Sequence, residues 1–556
     1  MGQVAAAPEG EIVHDVLVLG GGFGGMHMLW ELRERGFAVI GLEAGENVGG
    51  AWYWNRYPGA RCDVESLVYC YSFSPVIDAE WRWSERYSGQ KEIRAYMSWV
   101  CDRLDIRKDY RFGARLARAH WDGTGKFWTF ETEKGEIYRA RYFVSSAGPI
   151  SAPIWPNIPD REKFGGELYH TALWPRQEPD FSGKRVGVIG TGSSGTQLIP
   201  IVAEQAGHLT VFLRTPGVYT EAFNKPLTDD DYRRWGQARD KIRADIRSER
   251  RNGAGDVFID EGLLSSRYRN AFSYTPEERR DLMERYWENG GAVASMTFAD
   301  SITNPDANTE QREFLNGKIR QIVKDPAKAE LLCPAYPVGT KRPCVGTHYL
   351  ETFNRPNVDL VGVKKTPIER FTEKGLVVGG KEYELDVIIS ASGFDALTGA
   401  LTVLDIRGEN GLTIKDAWAD GPHTFLGVGV EGFPNMLMIG GPGSPSVLTN
   451  VVMTNEMQVR WIADMLTYVR ENRIVEFGVN HEEQEKWTQH VADLVRGSAL
   501  EEADSWYTGA NVPGKHRGVL AYTGGIVAYF GACNEVAEQG YRGFSMVPAA
   551  DLRATG

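Results

Sequence analysis

The chain has 556 residues, 42% of them apolar and 63 of them glycine; at about 150 residues per domain that makes three to four units of structure with room for a large core. Acidic residues outnumber basic ones, 74 to 62, for a net charge of -12, which repels polyanions, excludes nucleic acid as a natural partner and leaves small molecules. Six scattered cysteines without a CxxC pair exclude a disulfide scaffold and fit a reduced, cytoplasmic compartment; the opening MGQVAAAPEGEIVHD carries no export signal, and no apolar run reaches the roughly 18 residues that predict a membrane span.

The first predicted element is a short apolar strand, Asp15 to Leu19, ending in GGGFGG and followed by the helical run MHMLWELRERG, which closes at Gly36. FAVIGLEA then reads as a second strand, so the order is βαβ. Gly20, Gly22 and Gly25 make GxGxxG at the strand-to-helix turn, where free helix N–H groups and the helix dipole favour a pyrophosphate. Glu43 closes the second strand 18 residues beyond Gly25, the place from which an acid accepts hydrogen bonds from a free ribose 2′-hydroxyl, as in FAD or NAD.

The same grammar recurs in KRVGVIGTGSSGTQLIPIVAEQAGHLTVFLRTP, with Gly190, Gly192 and Gly195 in the turn. Here the residue ending the second strand, 19 beyond Gly195, is Arg214. A guanidinium suits a 2′-phosphate and an acid would repel it, so this cradle predicts NADPH. Two further strands, Arg141 to Pro149 and Glu384 to Phe394, end in small residues and read as return strands between domains. Between the second cradle and the later strand, Thr228 to about Lys328 is charged and helical in period, with a helix start at Thr275, Pro276 and Glu278. Its Arg-rich stretch DDDYRRWGQARDKIRADIRSERR is expected to be a solvated face. The fold class is therefore α/β, two Rossmann-like dinucleotide-binding domains with a helical insertion.

Two dinucleotide sites point to a flavoprotein reduced by a nicotinamide. No CxxC dithiol and no His or Cys cluster offers another acceptor, which leaves dioxygen. Between the two cradles stands FGGELYHTALWP, with Phe164, Gly166, His170, Trp174 and Pro175 in the pattern FxGxxxHxxxWP. This resembles the signature of the Baeyer–Villiger monooxygenases, in particular those of the phenylacetone and steroid type. GGAWYWNRYPGARCDVES, GTKRP, ASGFDALTG, GFPNMLMIGGPGSPS and DSWYTGANVPGK agree with it along nearly the whole chain. Arg176 after WP, and SSAG and SASG in the return strands, depart from the family pattern.

The resemblance implies an FAD domain from residues 1–150 and 385–556, an NADP domain from 151–227 and 329–384, and a helical insertion over 228–328. It implies that Arg342 is the catalytic arginine and Asp63 the carboxylate beside it, both also against the cofactors. Lys341 becomes a second ligand of the 2′-phosphate, Ser193 and Thr215 further nucleotide contacts, Gly50, Trp52 and Tyr69 flavin contacts, and Trp506 the tryptophan over the nicotinamide end. His170 is expected to hold the two domains together and not to act as a base. The implied reaction reduces FAD with NADPH, adds O2 to give a C4a-peroxyflavin and converts a ketone to an ester or lactone, in a monomer or weak oligomer. An N- or S-oxygenating flavin monooxygenase, a non-oxygenating NADPH flavin reductase and a dinucleotide sensor stay open as alternatives; GTKRP argues against the first.

Overall fold

A computed structural model of the chain describes residues 14–251 and 257–549; the N-terminal stretch read for an export signal lies outside them up to residue 13. The chain opens with β1 (His14–Leu19), α1 (Phe23–Glu34) and β2 (Val39–Glu43), and β1 and β2 pair in parallel with Val16 opposite Val39. Val16, Leu17 and Val18 are fully buried on both faces of the strand, the continuous apolar run of a covered parallel sheet rather than the alternation of a half-exposed one. Next come β3 (Tyr110–Phe112), β4 (Leu116–Asp122), β5 (Phe127–Thr132) and β6 (Ile137–Ser145).

A second parallel system follows, with β7 (Glu167–His170), β8 (Arg185–Ile189), α2 (Ser193–Gln205) and β9 (His208–Leu213). Helices α3 (Asp229–Arg247), α4 (Pro276–Asn289) and α5 (Pro305–Ile322) dominate the next stretch. The chain then returns through β10 (Val358–Gly362) and β11 (Val387–Ser390) to the second sheet, whose order is β10-β9-β8-β11-β7. It goes on to β12 (Asp405–Arg407), β13 (Met436–Met438) and α6 (Val451–Glu471). These belong with the first sheet, ordered β12-β4-β5-β6-β1-β2-β3 with β13 paired to β6. Each sheet is thus finished by strands made long after its first ones.

The predicted helix start at Thr275 is a full capping box: the Thr275 side chain accepts from the Glu278 amide and Glu278 accepts from the Thr275 amide, with Pro276 in the first turn. One sequence expectation needs correction, and one segment left unassigned becomes a strand. The Arg-rich helix α3 is not solvated all round, because Arg243 pairs with Asp78 at 2.6 Å with both side chains largely buried, and Arg239 joins the same carboxylate at 3.2 Å. Mixed charge along a helix cannot tell which side docks. The FxGxxxHxxxWP segment, read only as a motif between the cradles, is itself a strand: its residues 167–170 are β7, the edge strand of the second sheet, with Tyr169 opposite Ile389. Among the described residues no helix is long and apolar enough to cross a membrane.

Candidate active site

The two glycine turns are near copies of one another. Gly20 and Gly190 have φ of +105° and +104°, and a Cβ on either would lie 2.4 Å from the Ser146 carbonyl oxygen or 2.6 Å from that of Ala391. Only glycine fits such a turn. Gly25 and Gly195 bring helix and strand together, with a Cβ falling 1.9 and 2.3 Å from the carbonyl oxygens of Gly20 and Gly190. Both helices start at a glycine, Gly22 and Gly192, without a side-chain cap and without an acid in the first turn, so their first N–H groups remain available to an anion. A Cβ on Gly192 would meet nothing within 4 Å. The residues present fit a dinucleotide at each turn.

The far ends of the cradles differ. Glu43 is 4% exposed, and its carboxylate accepts from the Gly21 and Gly45 amides, both at 2.6 Å. Burial pushes its pKa up, with those two amides and Arg115 opposing. A carboxylate with two such bonds keeps lone pairs free for ribose hydroxyls. Gly50, at φ +51°, packs its backbone against Gly22 and caps the turn carrying Trp52, whose Nε1 donates to the Tyr69 hydroxyl at 3.0 Å. Tyr69 stands edge-on to Phe23, the first residue of α1.

At the second cradle Arg214 is exposed, and Thr215 follows it with its carbonyl accepting from the Thr191 hydroxyl at 3.3 Å. Burial lowers the Lys341 pKa, and the charges of Arg214 and Lys364 lower it further, although Asp504 raises it. Arg214 and Lys364 are therefore close enough for their charges to act on Lys341. Lys364, just past β10, was missed by sequence reasoning; its only signal was a lysine after the strand next to the one that delivers Arg214. Ser193 opens α2 at the glycine turn.

An ion pair built from distant segments acts on groups beside both cradles, on Tyr69 at the first and on Cys344, which is hydrogen-bonded to Ser193, at the second. The Arg342 Nε and Nη2 donate to the two Asp63 carboxylate oxygens, each at 2.8 Å, while Nη1 donates to the Val447 carbonyl, also at 2.8 Å. The side chains are 31% and 19% exposed. The Asp63 charge raises the Arg342 pKa still further against burial. Burial pushes the Asp63 carboxyl up, but the Arg342 charge and hydrogen bonds outweigh it and hold it below the usual carboxylate range. The pair stays ionised at neutral pH.

The segment carrying Asp63 is tied to the second cradle through Gln197 of α2, which accepts from the Tyr57 hydroxyl at 2.8 Å and donates to the Arg61 carbonyl at 2.9 Å. The Lys341 ammonium donates to the Asp504 carbonyl, which brings the GTKRP turn against the turn holding Trp506. Trp506 is half-buried on Tyr507, ring centres 4.3 Å apart, and it is the Tyr507 hydroxyl that lies against Arg342. The sequence offered no sign of Val447, Gln197 or Tyr507, since each acts by a backbone group or by a contact between remote segments. His170, 1% exposed, accepts the Ala172 amide on Nδ1 and so carries its proton on Nε2, 3.1 Å from the Ile154 carbonyl and 3.3 Å from Ser392 Oγ. It joins the edge of the second sheet to the crossing chain and lies outside the ion pair. Arg176 pairs with Glu46 and reaches the Tyr53 hydroxyl, a local contact that accommodates the departure after WP.

Residues 18–78 match the model of an NAD(P)-binding Rossmann-like domain. Over 536 residues, 96% of each chain, the protein is 39% identical to cyclohexanone 1,2-monooxygenase of an Acinetobacter species. It is also 39% identical to a Baeyer–Villiger monooxygenase of Pseudooceanicola batsensis over 95% of both chains. The chain belongs to the Baeyer–Villiger monooxygenase family. A solved steroid monooxygenase bound to NADP superposes with a TM-score of 0.89 at 43% identity, covering 96% of this chain and all of that one. The family resemblance extends to a phenazine N-monooxygenase of Lysobacter antibioticus, 37% identical over 95% of this chain and 96% of that one.

Proposed function

We propose that the chain binds FAD at the first cradle and NADPH at the second, and uses dioxygen to convert a ketone to an ester or lactone. The observation that carries this reading is the Arg342–Asp63 pair, whose charges act on Tyr69 beside the first glycine turn and on Cys344 against the second. The bound flavin supplies the two-electron chemistry between NADPH and dioxygen; the chain holds the partners and the charge.

Arg342 presents a permanent cation in a fixed position, held by two carboxylate bonds and one carbonyl bond. Donors fixed in advance stabilise negative charge that develops on a substrate oxygen without a reorganisation cost. Asp63 fixes the plane of the guanidinium and tempers its charge. Arg214, Lys341 and Lys364 hold the 2′-phosphate, Ser193 and Thr215 border the same nucleotide, and Trp506 covers its nicotinamide end. Glu43 takes the flavin's ribose, its pyrophosphate lies on the Gly20–Gly25 turn, and Gly50, Trp52 and Tyr69 border the ring. In this reading residues 1–150 and 385–556 form the FAD unit, 151–227 and 329–384 the NADP unit, and 228–328 the helical insertion.

Product analysis by mass spectrometry, with linear, cyclic and steroid-like ketones and NADPH, tests the reading; ester or lactone is the expected product. Arg342→Ala is expected to lower ketone oxygenation about a hundredfold or more, the scale of a lost oxyanion donor. Flavin reduction by NADPH, followed by stopped flow, should survive. Full ester yield from that variant would show that Arg342 does not carry the chemistry. The N-oxygenating relative favours one second reading, oxidation of a ring nitrogen; N-oxide from phenazines with no ester from any ketone would replace the first reading by it.

A further inference from the structure

The segment bearing Asp63 is held by residues 84–89, which run between it and the entry to the helical insertion. On one edge the Cys62 amide donates to the Ser88 carbonyl at 3.1 Å, the Ser66 amide donates to the Arg86 carbonyl at 2.7 Å, and the Ser66 and Ser88 hydroxyls lie 2.8 Å apart. On the other edge the Arg86 amide donates to the Lys225 carbonyl at 2.9 Å, the Leu227 amide to the Ser84 carbonyl at 2.9 Å, and the Tyr87 amide to Asn224 Oδ1 at 2.9 Å.

The Arg86 side chain repeats this double attachment. Its Nε and Nη2 donate to Glu65 Oε1 at 3.0 and 2.7 Å, and its Nη1 donates to the carbonyl of Asn289, the last residue of α4, at 2.7 Å. A cation at that helix end also meets the negative end of the helix dipole. Glu65 is 4% and Arg86 13% exposed as a pair, so the charges are largely out of water, where removing one leaves the other costly. Glu65 stands two residues from Asp63, and its carbonyl accepts the Val68 and Tyr69 amides. One guanidinium thus fixes the turn between Asp63 and Tyr69 to a helix of the insertion.

We propose that Arg86 is a positioning residue for the Asp63–Arg342 pair, acting through Glu65, and that the helical insertion orients the oxygenation site through it. The inference rests on the ketone-oxygenating reading above, and an Arg342-dependent ester yield from the wild-type enzyme secures that reading separately.

The test uses full-length holoenzyme and three variants, Arg86→Met, Arg86→Lys and Glu65→Gln, with product formed per NADPH consumed as the main readout. Arg86→Met is expected to lower that ratio about tenfold, within the range of interaction energies for groups in contact, with the NADPH KM unchanged. Arg86→Lys should restore part of it, and Glu65→Gln should lower it in the same direction. In an Asp63→Ala background, adding Arg86→Met should change the ratio less than about twofold, because both act through one pair. Melting temperatures are measured on every variant. If Arg86→Met and Glu65→Gln only melt earlier while staying as tightly coupled as wild type, or if the losses multiply in the Asp63→Ala background, the proposal is overturned. Should Arg86→Met not fold, Arg86→Lys and Glu65→Gln decide by the same ratio.

Discussion

The two cradles share a turn and differ in what closes them. At the first, a carboxylate is buried and already bonded by two backbone amides before any ribose arrives. At the second, an exposed arginine stands near two lysines, one of which, Lys341, is lowered in pKa by burial first and by the charges of Arg214 and Lys364 after it. In the proposed reading the first closes on the flavin's ribose and the second on the 2′-phosphate of NADPH.

The strongest way to break this comparison is to add one methyl group at matching positions. Gly25→Ala sets a Cβ against the Gly20 carbonyl, and the overlap is expected to cut bound flavin about tenfold or more, read by the absorbance of the purified protein. Gly195→Ala sets the same overlap at the other turn and should leave the protein yellow but slow to reduce with NADPH. Loss of colour in both variants would show that the sites are not independent.

A smaller effect sharpens the electrostatic half. Arg214→Ala and Lys341→Ala should each raise the NADPH KM about tenfold, the scale of one charge-assisted hydrogen bond, with the NADH KM nearly unmoved. Lys364→Ala should act in the same direction and less. Equal losses with both nucleotides would remove the 2′-phosphate from this cluster.

The smallest expected effect concerns the junction. Burial lowers the His170 pKa, so below the unfolded value of about 6.5 the unfolded chain binds a proton that the native one refuses. Its share of stability is therefore present above that pH and lost as pH falls below it. Melting temperature should drop between pH 7.5 and 5.5, and His170→Asn should flatten the drop by on the order of a degree.

Much of this was legible in the sequence because it is local. Gly20 to Glu43 and Gly190 to Arg214 are each continuous, and the physics that fixes a glycine turn or a helix start acts within a few residues. Arg342 and Asp63 were legible only through family resemblance, since no spacing connects residues 279 positions apart. Val447 was invisible because a backbone carbonyl looks alike in every residue. The docked side of α3 was missed for a related reason: Asp78, which receives Arg243, lies in another part of the chain.

The late strands have a consequence for synthesis. β13 pairs with β6 through Met436 opposite Phe143, and Arg35 at the end of α1 bonds Asp464 of α6. The second sheet is complete once Ser390 is made, whereas the first, begun earliest, waits for Met438. At roughly 5 to 20 residues per second, the edge of β6 stands without that partner for about 15 to 60 seconds on the ribosome. The Gly20–Gly25 turn is made early and its sheet is closed late, so in the proposed reading flavin capture is expected to follow the synthesis of β13 rather than that of the turn.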